Sequence, residues 1–399
     1  MTTYSSADVS NRDLRALRDR VAVAGVGWTQ FSRSSGRTTT SMAVEAITAA
    51  LADAGLERSD VDGLATHHVR DSAALHEVTP ALGIDDLAWF DEEFGGGSRA
   101  AVIVGHAATA VAAGLADCVV VYRSLNGRTG TRMGASGGER TLLSSDLQFS
   151  QPYGLLAAAA SYAIGARMHM IRYGTTVDQL GAVAVTQRAN AVENERALMR
   201  TPITLEDHRS SRMIADPFRL LDCCLETDVA CAIVLTTVER ARDLRQPVVT
   251  LKGWASAIGP GDLDHPGGDL TRSTSSLVAP RLYAMAGLGP EDVDVAELYD
   301  AFSFAVLLHL EDYGFCAKGE AGPFAASGAI ARTGSLPVNT HGGFLSEGYA
   351  HGLNHVCEAV SQLRGQAGTR QVEGAEIALA TAMPGYPTGA SGAVLLGRS

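Results

Sequence analysis

The chain repeats itself. Val21-Ala22-Val23-Ala24-Gly25-Val26-Gly27-Trp28 reads as a strand, residues 42–51 carry a helical pattern, and Ala54-Gly55-Leu56-Glu57-Arg58-Ser59-Asp60-Val61-Asp62 follows. Val248-Val249-Thr250-Leu251-Lys252-Gly253-Trp254 opens a second copy, with a helical pattern over 277–284 and then Ala286-Gly287-Leu288-Gly289-Pro290-Glu291-Asp292-Val293-Asp294. In each copy the glycine is placed to cap the helix, and the acidic loop leads into a strand. The likeness continues. A small-residue helix over 98–113 precedes the strand Cys118-Val119-Val120-Val121-Tyr122, and a helix over 350–363 precedes Ile377-Ala378-Leu379-Ala380-Thr381. Helices alternating with short apolar strands predict parallel sheets buried on both faces. The expected architecture is α/β, with duplicated βαβ halves related by a pseudo-twofold, dividing as residues 1–245 and 246–399. Residues 125 to about 220 have no counterpart in the second half.

With 399 residues, 46% hydrophobic and 19% charged, the chain can bury a large core. A formal charge of −12 argues against nucleic acid or an anionic membrane as general partners. Apolar runs are shorter than the roughly 20 residues a membrane span needs. The N-terminal stretch lacks the apolar core of a signal peptide, so a cytoplasmic location is expected. The six cysteines show neither disulfide-scaffold density nor paired zinc spacing.

Two motifs carry chemistry. Glu297-Leu298-Tyr299-Asp300-Ala301-Phe302 resembles the thiolase Glu-Leu-Asn-Glu-Ala-Phe segment, with Tyr299 in place of asparagine. Asn339-Thr340-His341-Gly342-Gly343-Phe344-Leu345-Ser346-Glu347-Gly348-Tyr349 resembles the thiolase segment in which two glycines precede a catalytic histidine, here replaced by Tyr349. The resemblance implies the thiolase fold, with the unmatched insertion forming a loop domain over the active site. Thiolases use two cysteines, yet neither Asp91-Glu92-Glu93-Phe94-Gly95-Gly96-Gly97-Ser98-Arg99 nor Ala382-Met383-Pro384-Gly385-Tyr386-Pro387 contains one. Ser98 at a helix start reads as a cap rather than a substitute nucleophile.

The paired phenols resemble those of the lipid-transfer-protein-like aldolases in the sterol-carrier-protein thiolase branch. These enzymes cleave a β-hydroxyacyl-CoA on the steroid D-ring by a retro-aldol reaction to a 17-ketosteroid and propionyl-CoA. The resemblance implies an acyl-CoA substrate, no cofactor beyond the CoA of the substrate, a homodimer, and an OB-fold acyl-CoA-associated partner. It places Tyr299, Tyr349 and His341 at the chemistry, and Gly95, Gly96, Gly97 and Gly343 where backbone approaches the thioester.

Retro-aldol cleavage needs a base for the β-hydroxyl and a proton donor for the enolate. Ionising a tyrosine at pH 7 costs roughly 4 kcal/mol, so the phenols are expected to transfer protons in concert or to have pKa values lowered by His341, His351 or backbone amides. Asp300 would raise them, which suits a structural role. Other designs fare worse. Lys252 lies in a strand and Lys318 in a glycine-rich loop, neither suited to Schiff-base chemistry. His351 and His355, four apart on an expected helix, lack a third metal ligand, so no metal is expected. Gly25-x-Gly27 lacks the rest of a dinucleotide fingerprint, and Gly134-Ala135-Ser136-Gly137-Gly138 is misplaced for a nucleophile elbow. The alternative from another class is a catalytically silent thiolase-like subunit carrying acyl-CoA or lipid.

Overall fold

The computed structural model describes residues 14–130, 151–155, 157–259, 269–383 and 389–399. Residues 134–138 and 384–387 lie outside these stretches.

In chain order the first half comprises β1 (Val21–Trp28), α1 (Thr39–Ala54), β2 (Gly63–His68), α2 (Leu75–Leu82), β3 (Trp89–Phe94), α3 (Ala100–Ala112) and β4 (Cys118–Asn126). An insertion follows, with α4 (Ala158–Tyr173), α5 (Val177–Val192), α6 (Leu205–Ser210) and the ribbon β5 (Met213–Ala215) and β6 (Phe218–Arg219). β7 (Asp228–Thr237) and α7 (Val238–Ala241) close the first half. The second contains β8 (Val249–Ile258), α8 (Ser275–Ala286), β9 (Val295–Glu297), α9 (Ser303–Asp312), α10 (Ala321–Ala326), α11 (Gly343–Ser346), α12 (Leu353–Leu363), β10 (Ile377–Ala382) and β11 (Ala390–Arg398).

Nine of the described strands form one sheet in the order β3-β2-β4-β7-β1-β8-β11-β10-β9. Outward from the antiparallel β1·β8 pair, where Ala22 meets Thr250, each half lays down its first strand, its last, then its inner parallel strands. That order is the signature of a pseudo-twofold. The sheet is mixed rather than parallel throughout: β2 runs parallel to β3 and β4, and β9 to β10, while the central strands are antiparallel. The antiparallel centre arises because each half's first strand pairs with the strand that ends the half.

The duplication extends to single residues. Gly55 and Gly287 end α1 and α8 at φ 78° and 63°, in the left-handed region that favours glycine. Asp60 and Asp292 then close the next turn by accepting the backbone N–H of Glu57 and Gly289. Side chains alternate across the sheet: Val119 and Val121 pack with the α3 and α12 layer, whereas Cys118, Val120 and Tyr122 pack with α1 and α2. In the second half Leu379 and Leu395 face α8 and α9, so both faces of the sheet are covered. Gly25 and Gly27 have a packing role. A Cβ at either would strike the α1 backbone at Ala50 or Ala46, as one at Gly253 would press on Leu282 of α8 at 3.1 Å. The insertion packs its Tyr162, Leu180, Val183 and Phe218 into the same core as Tyr299, Phe302 and Phe304.

Candidate active site

Tyr299 stands just beyond β9. Its backbone N–H donates to Thr381 Oγ1 at 2.8 Å at the end of β10, and Thr381 is bonded to His309 at 2.9 Å. Tyr349 sits between α11 and α12 with its N–H on Thr227 Oγ1 at 3.1 Å. These anchors bring the two hydroxyls together at 2.5 Å. Phe344 stands edge-on to both rings, at 5.1 and 4.8 Å, and fixes their tilt.

Burial pushes both phenols well above the ordinary tyrosine range. For Tyr299 the neighbouring Tyr349, Cys224 and Asp300 push the same way. For Tyr349, Cys224 adds to burial, while the hydrogen bond from Tyr299 and the charge of Arg123 oppose it. Both groups therefore rest as neutral phenols. Of the alternatives expected, transfer in concert fits these raised phenols, and lowering by His341 or His351 does not.

His341 belongs to a buried network behind the site. Its Nδ1 stands 2.9 Å from Glu297 Oε2 in an ion-pair contact, and Nε2 is 3.1 Å from His355 Nδ1 and 3.5 Å from Glu347. Burial opposes its charge, but Glu347 and Glu297 outweigh that, and His341 rises to about 9. His355 Nε2 meets Asp300 at 3.1 Å, and Asp300 also accepts the N–H of Phe344 at 2.8 Å. His355 stacks on Phe344 at 4.1 Å, so the network reaches the phenols through a packed ring rather than by hydrogen bond. Asp300 has the structural role expected of it. Donor atoms of Glu297, His341 and His355 do lie within 4.8 Å of one another, as do those of the more superficial Asp91, Glu93 and His106. His355 spends both ring nitrogens on His341 and Asp300, which suits a proton-sharing network.

His351 is not on the helix with His355. It precedes α12 at φ 54°, and Gly352, at φ 106°, stands just before the helix. Its Nδ1 faces Arg123, with Nε at 3.0 Å and Nη2 at 2.6 Å, and its ring packs edge-on to Tyr349 at 4.6 Å. Arg123 is fully buried on β4 and also bonds Asp71 at 2.6 Å. Neither Arg123 nor Cys224 was singled out from the sequence. A lone arginine inside the apolar run Cys118-Val119-Val120-Val121-Tyr122-Arg123 was the signal for the first, since a charge is buried only where something needs it.

The glycines divide by role. A Cβ on Gly97 would overlap the Tyr299 hydroxyl, so this glycine makes room for the phenol. Gly96 lies against His351, 3.7 Å from its Cε1 to the Cβ position, while Gly95 faces Arg99. Gly343, at φ 60°, lets Asp300 close on the α11 N–H groups. Burial pushes Cys118, Cys223 and Cys316 up to about 12 and raises Cys224 and Cys231 as well, so these thiols are poor nucleophiles. Lys252 is paired with Asp19 at 2.7 Å and Lys318 with Glu311 at 2.7 Å.

Residues 265–398 match the family described as thiolase C-terminal domain-like. The 17-hydroxy-3-oxo-4-pregnene-20-carboxyl-CoA lyase of Mycobacterium tuberculosis is 45% identical over 95% of this chain and 100% of its own. A steroid side-chain-cleaving aldolase of Thermomonospora curvata is 42% identical over 96% and 99%. The chain belongs to the thiolase superfamily, in the branch of the steroid side-chain-cleaving aldolases. The solved structure described as the Ltp2-ChsH2(DUF35) aldolase superposes with a TM-score of 0.89 at 42% identity, covering 96% of this chain and 99% of that chain. Human mitochondrial 3-ketoacyl-CoA thiolase, at 16% identity and a TM-score of 0.68, shares the fold.

Proposed function

We propose that this protein is a carbon-carbon lyase that cleaves a β-hydroxyacyl-CoA, a steroid 17-hydroxy side-chain thioester, to a 17-ketosteroid and propionyl-CoA. The observation that carries the reading is the 2.5 Å contact between the Tyr299 and Tyr349 hydroxyls, in a scaffold akin to two named aldolases.

Two neutral phenols sharing a hydrogen bond form a proton relay that needs no resting phenolate. The β-hydroxyl proton passes to one phenol oxygen, and that phenol's own proton crosses to the second. As the Cα–Cβ bond breaks, the hydroxyl carbon becomes the ketone and the electron pair forms the thioester enolate. In the same concerted step the second phenol passes its own proton to the enolate carbon, so neither oxygen holds two protons at once. The hydroxyl loses one proton and Cα gains one, so both tyrosines end as they began. Gly96 leaves room for the thioester beside the pair, Gly95 makes room for Arg99 instead, and His341, within its acidic network, holds the loop that carries Tyr349. Gly343 serves that loop rather than the thioester. No cofactor is required by this scheme.

The reading includes assembly. β3 is the outermost strand of its half, and Phe90 and Phe94 on it are 68% and 69% exposed, a poor surface to leave in water. We assign this edge to a second copy of the chain, giving a homodimer. By likeness to the Ltp2-ChsH2(DUF35) aldolase, the dimer works with an OB-fold partner of the DUF35 type. Among the described residues no helix is long and apolar enough to cross a membrane, and a cytoplasmic location fits the reading. A carrier subunit gives no reason to bond two buried phenols. The test is incubation with a 17-hydroxysteroid acyl-CoA, following ketone and propionyl-CoA together. Release of both in equal amounts is expected, and tight binding without cleavage would favour the carrier.

A further inference from the structure

Tyr299 is held by its backbone as well as by its ring. On one side, Leu298 exchanges two hydrogen bonds with the Asn339 amide, its N–H donating at 2.7 Å and its carbonyl accepting at 2.9 Å. On the other, the Tyr299 N–H donates to Thr381 Oγ1 at 2.8 Å. Behind Thr381 lies a file of buried polar groups drawn from three further elements of the second half. His309 of α9 meets Thr381 Oγ1 through Nδ1 at 2.9 Å, and through Nε2 it meets Oγ of Ser275, the first residue of α8, at 3.1 Å. Ser275 Oγ lies 2.9 Å from Ser391 Oγ on β11, and Ser391 donates to the Ala382 carbonyl at 2.7 Å.

Counting protons fixes the direction of this file. A carbonyl only accepts, so the single proton of Ser391 is spent on Ala382, and the Ser275–Ser391 bond needs Ser275 as its donor. Ser275 then has no proton left for His309, so Nε2–H donates there and Nδ1 carries the lone pair. Thr381 turns its hydroxyl proton to Nδ1, which leaves an Oγ1 lone pair facing the Tyr299 N–H. Burial and the charge of His355 push His309 down to about 3, so the ring is neutral, as this order of donors requires. Tyr313 stands edge-on to the imidazole at 5.4 Å and holds its plane. The file starts at Thr381 and ends on the next residue, Ala382, so the end of β10 is tied to α8, α9 and β11 together.

We infer that His309, as the neutral Nε2–H tautomer, is a positioning residue for the cleavage: it orients the Thr381 hydroxyl to receive the Tyr299 N–H and so keeps the Tyr299 hydroxyl against Tyr349. This rests on the retro-aldol reading. The effect of His309 passes through one hydroxyl, and a buried N–H without that acceptor would draw the Tyr299 backbone toward another partner.

Turnover and ring NMR of the full chain test this together. Thr381→Val keeps the side-chain shape and deletes the hydroxyl, so kcat should fall about 10- to 100-fold with KM nearly unchanged, and Thr381→Ser should recover most of the loss. His309→Phe should reproduce that loss, and combining it with Thr381→Val should add almost nothing, because both changes break the same link. Losses that multiply in the double variant overturn the inference, and so does a lowered melting temperature with unchanged kcat, the mark of a merely structural role. Should His309→Phe fail to fold, the ring nitrogen resonances of His309 in the natural protein decide: the Nε2–H tautomer is expected at neutral pH, and an Nδ1–H tautomer or a charged ring overturns it. Failure of the retro-aldol reading is separate: it shows as absent cleavage by the natural protein while the Nε2–H tautomer is in place.

Discussion

At the scale of single residues, the site is made by close approach. Tyr299 occupies space that any side chain at position 97 would need, so Gly97 is part of the phenol pair's geometry. Gly97→Ala is expected to cost about 1 to 3 kcal/mol through overpacking and to displace the Tyr299 hydroxyl from Tyr349. Thermal unfolding and turnover together check this; a variant with unchanged melting and unchanged rate would show that the ring has room. Tyr299 and Tyr349 were legible in the sequence because each replaces a residue at a recognisable motif position. Arg123 was not, since its meaning depends on His351, 228 positions away in the chain. Four-residue spacing also misled for His351 and His355: His351 is itself left-handed and Gly352 caps the start of α12, so the two rings serve different partners.

At the scale of elements, the segment from Asn339 to Gly352 is held by an ionic network rather than by regular structure. Glu297, His341, Glu347, His355 and Asp300 link the end of β9 to α11 and α12. His341 is raised in the folded protein from its ordinary 6.5 to about 9, so the stability it contributes is complete below pH 6.5 and disappears as pH climbs toward 9. The difference in unfolding free energy between the natural protein and His341→Gln should accordingly shrink over that interval. Chemical denaturation at a series of pH values measures it, and a difference that grows with pH would mean that His341 is neutral in the folded state. The sequence drew attention to His341 by position, but its role as an anchor became visible only with the acids around it. The helix caps Gly55 and Gly287, by contrast, were readable directly, because a left-handed cap has few other solutions.

At the scale of the whole molecule, the internal repeat implied two like halves, and the strand order bears out that fold. The mixed sheet was less legible, because pairing between first and last strands is a long-range choice that no local pattern records. We take the halves to divide near residue 245, with the insertion belonging to the first. The exposed Phe90 and Phe94 make β3 the dimer edge in our reading, so Phe90→Glu with Phe94→Glu should yield monomers by light scattering while leaving the fold intact. An unchanged dimer would place the interface elsewhere. The central claim is that paired phenols carry a retro-aldol cleavage, and it is tested most directly by turnover of Tyr299→Phe and Tyr349→Phe on a 17-hydroxysteroid acyl-CoA. Each change keeps the ring and removes one link of the relay, so each should lower the rate by about 10² to 10⁴ while the protein stays folded. Near-normal release of ketone and propionyl-CoA by both variants would contradict the account.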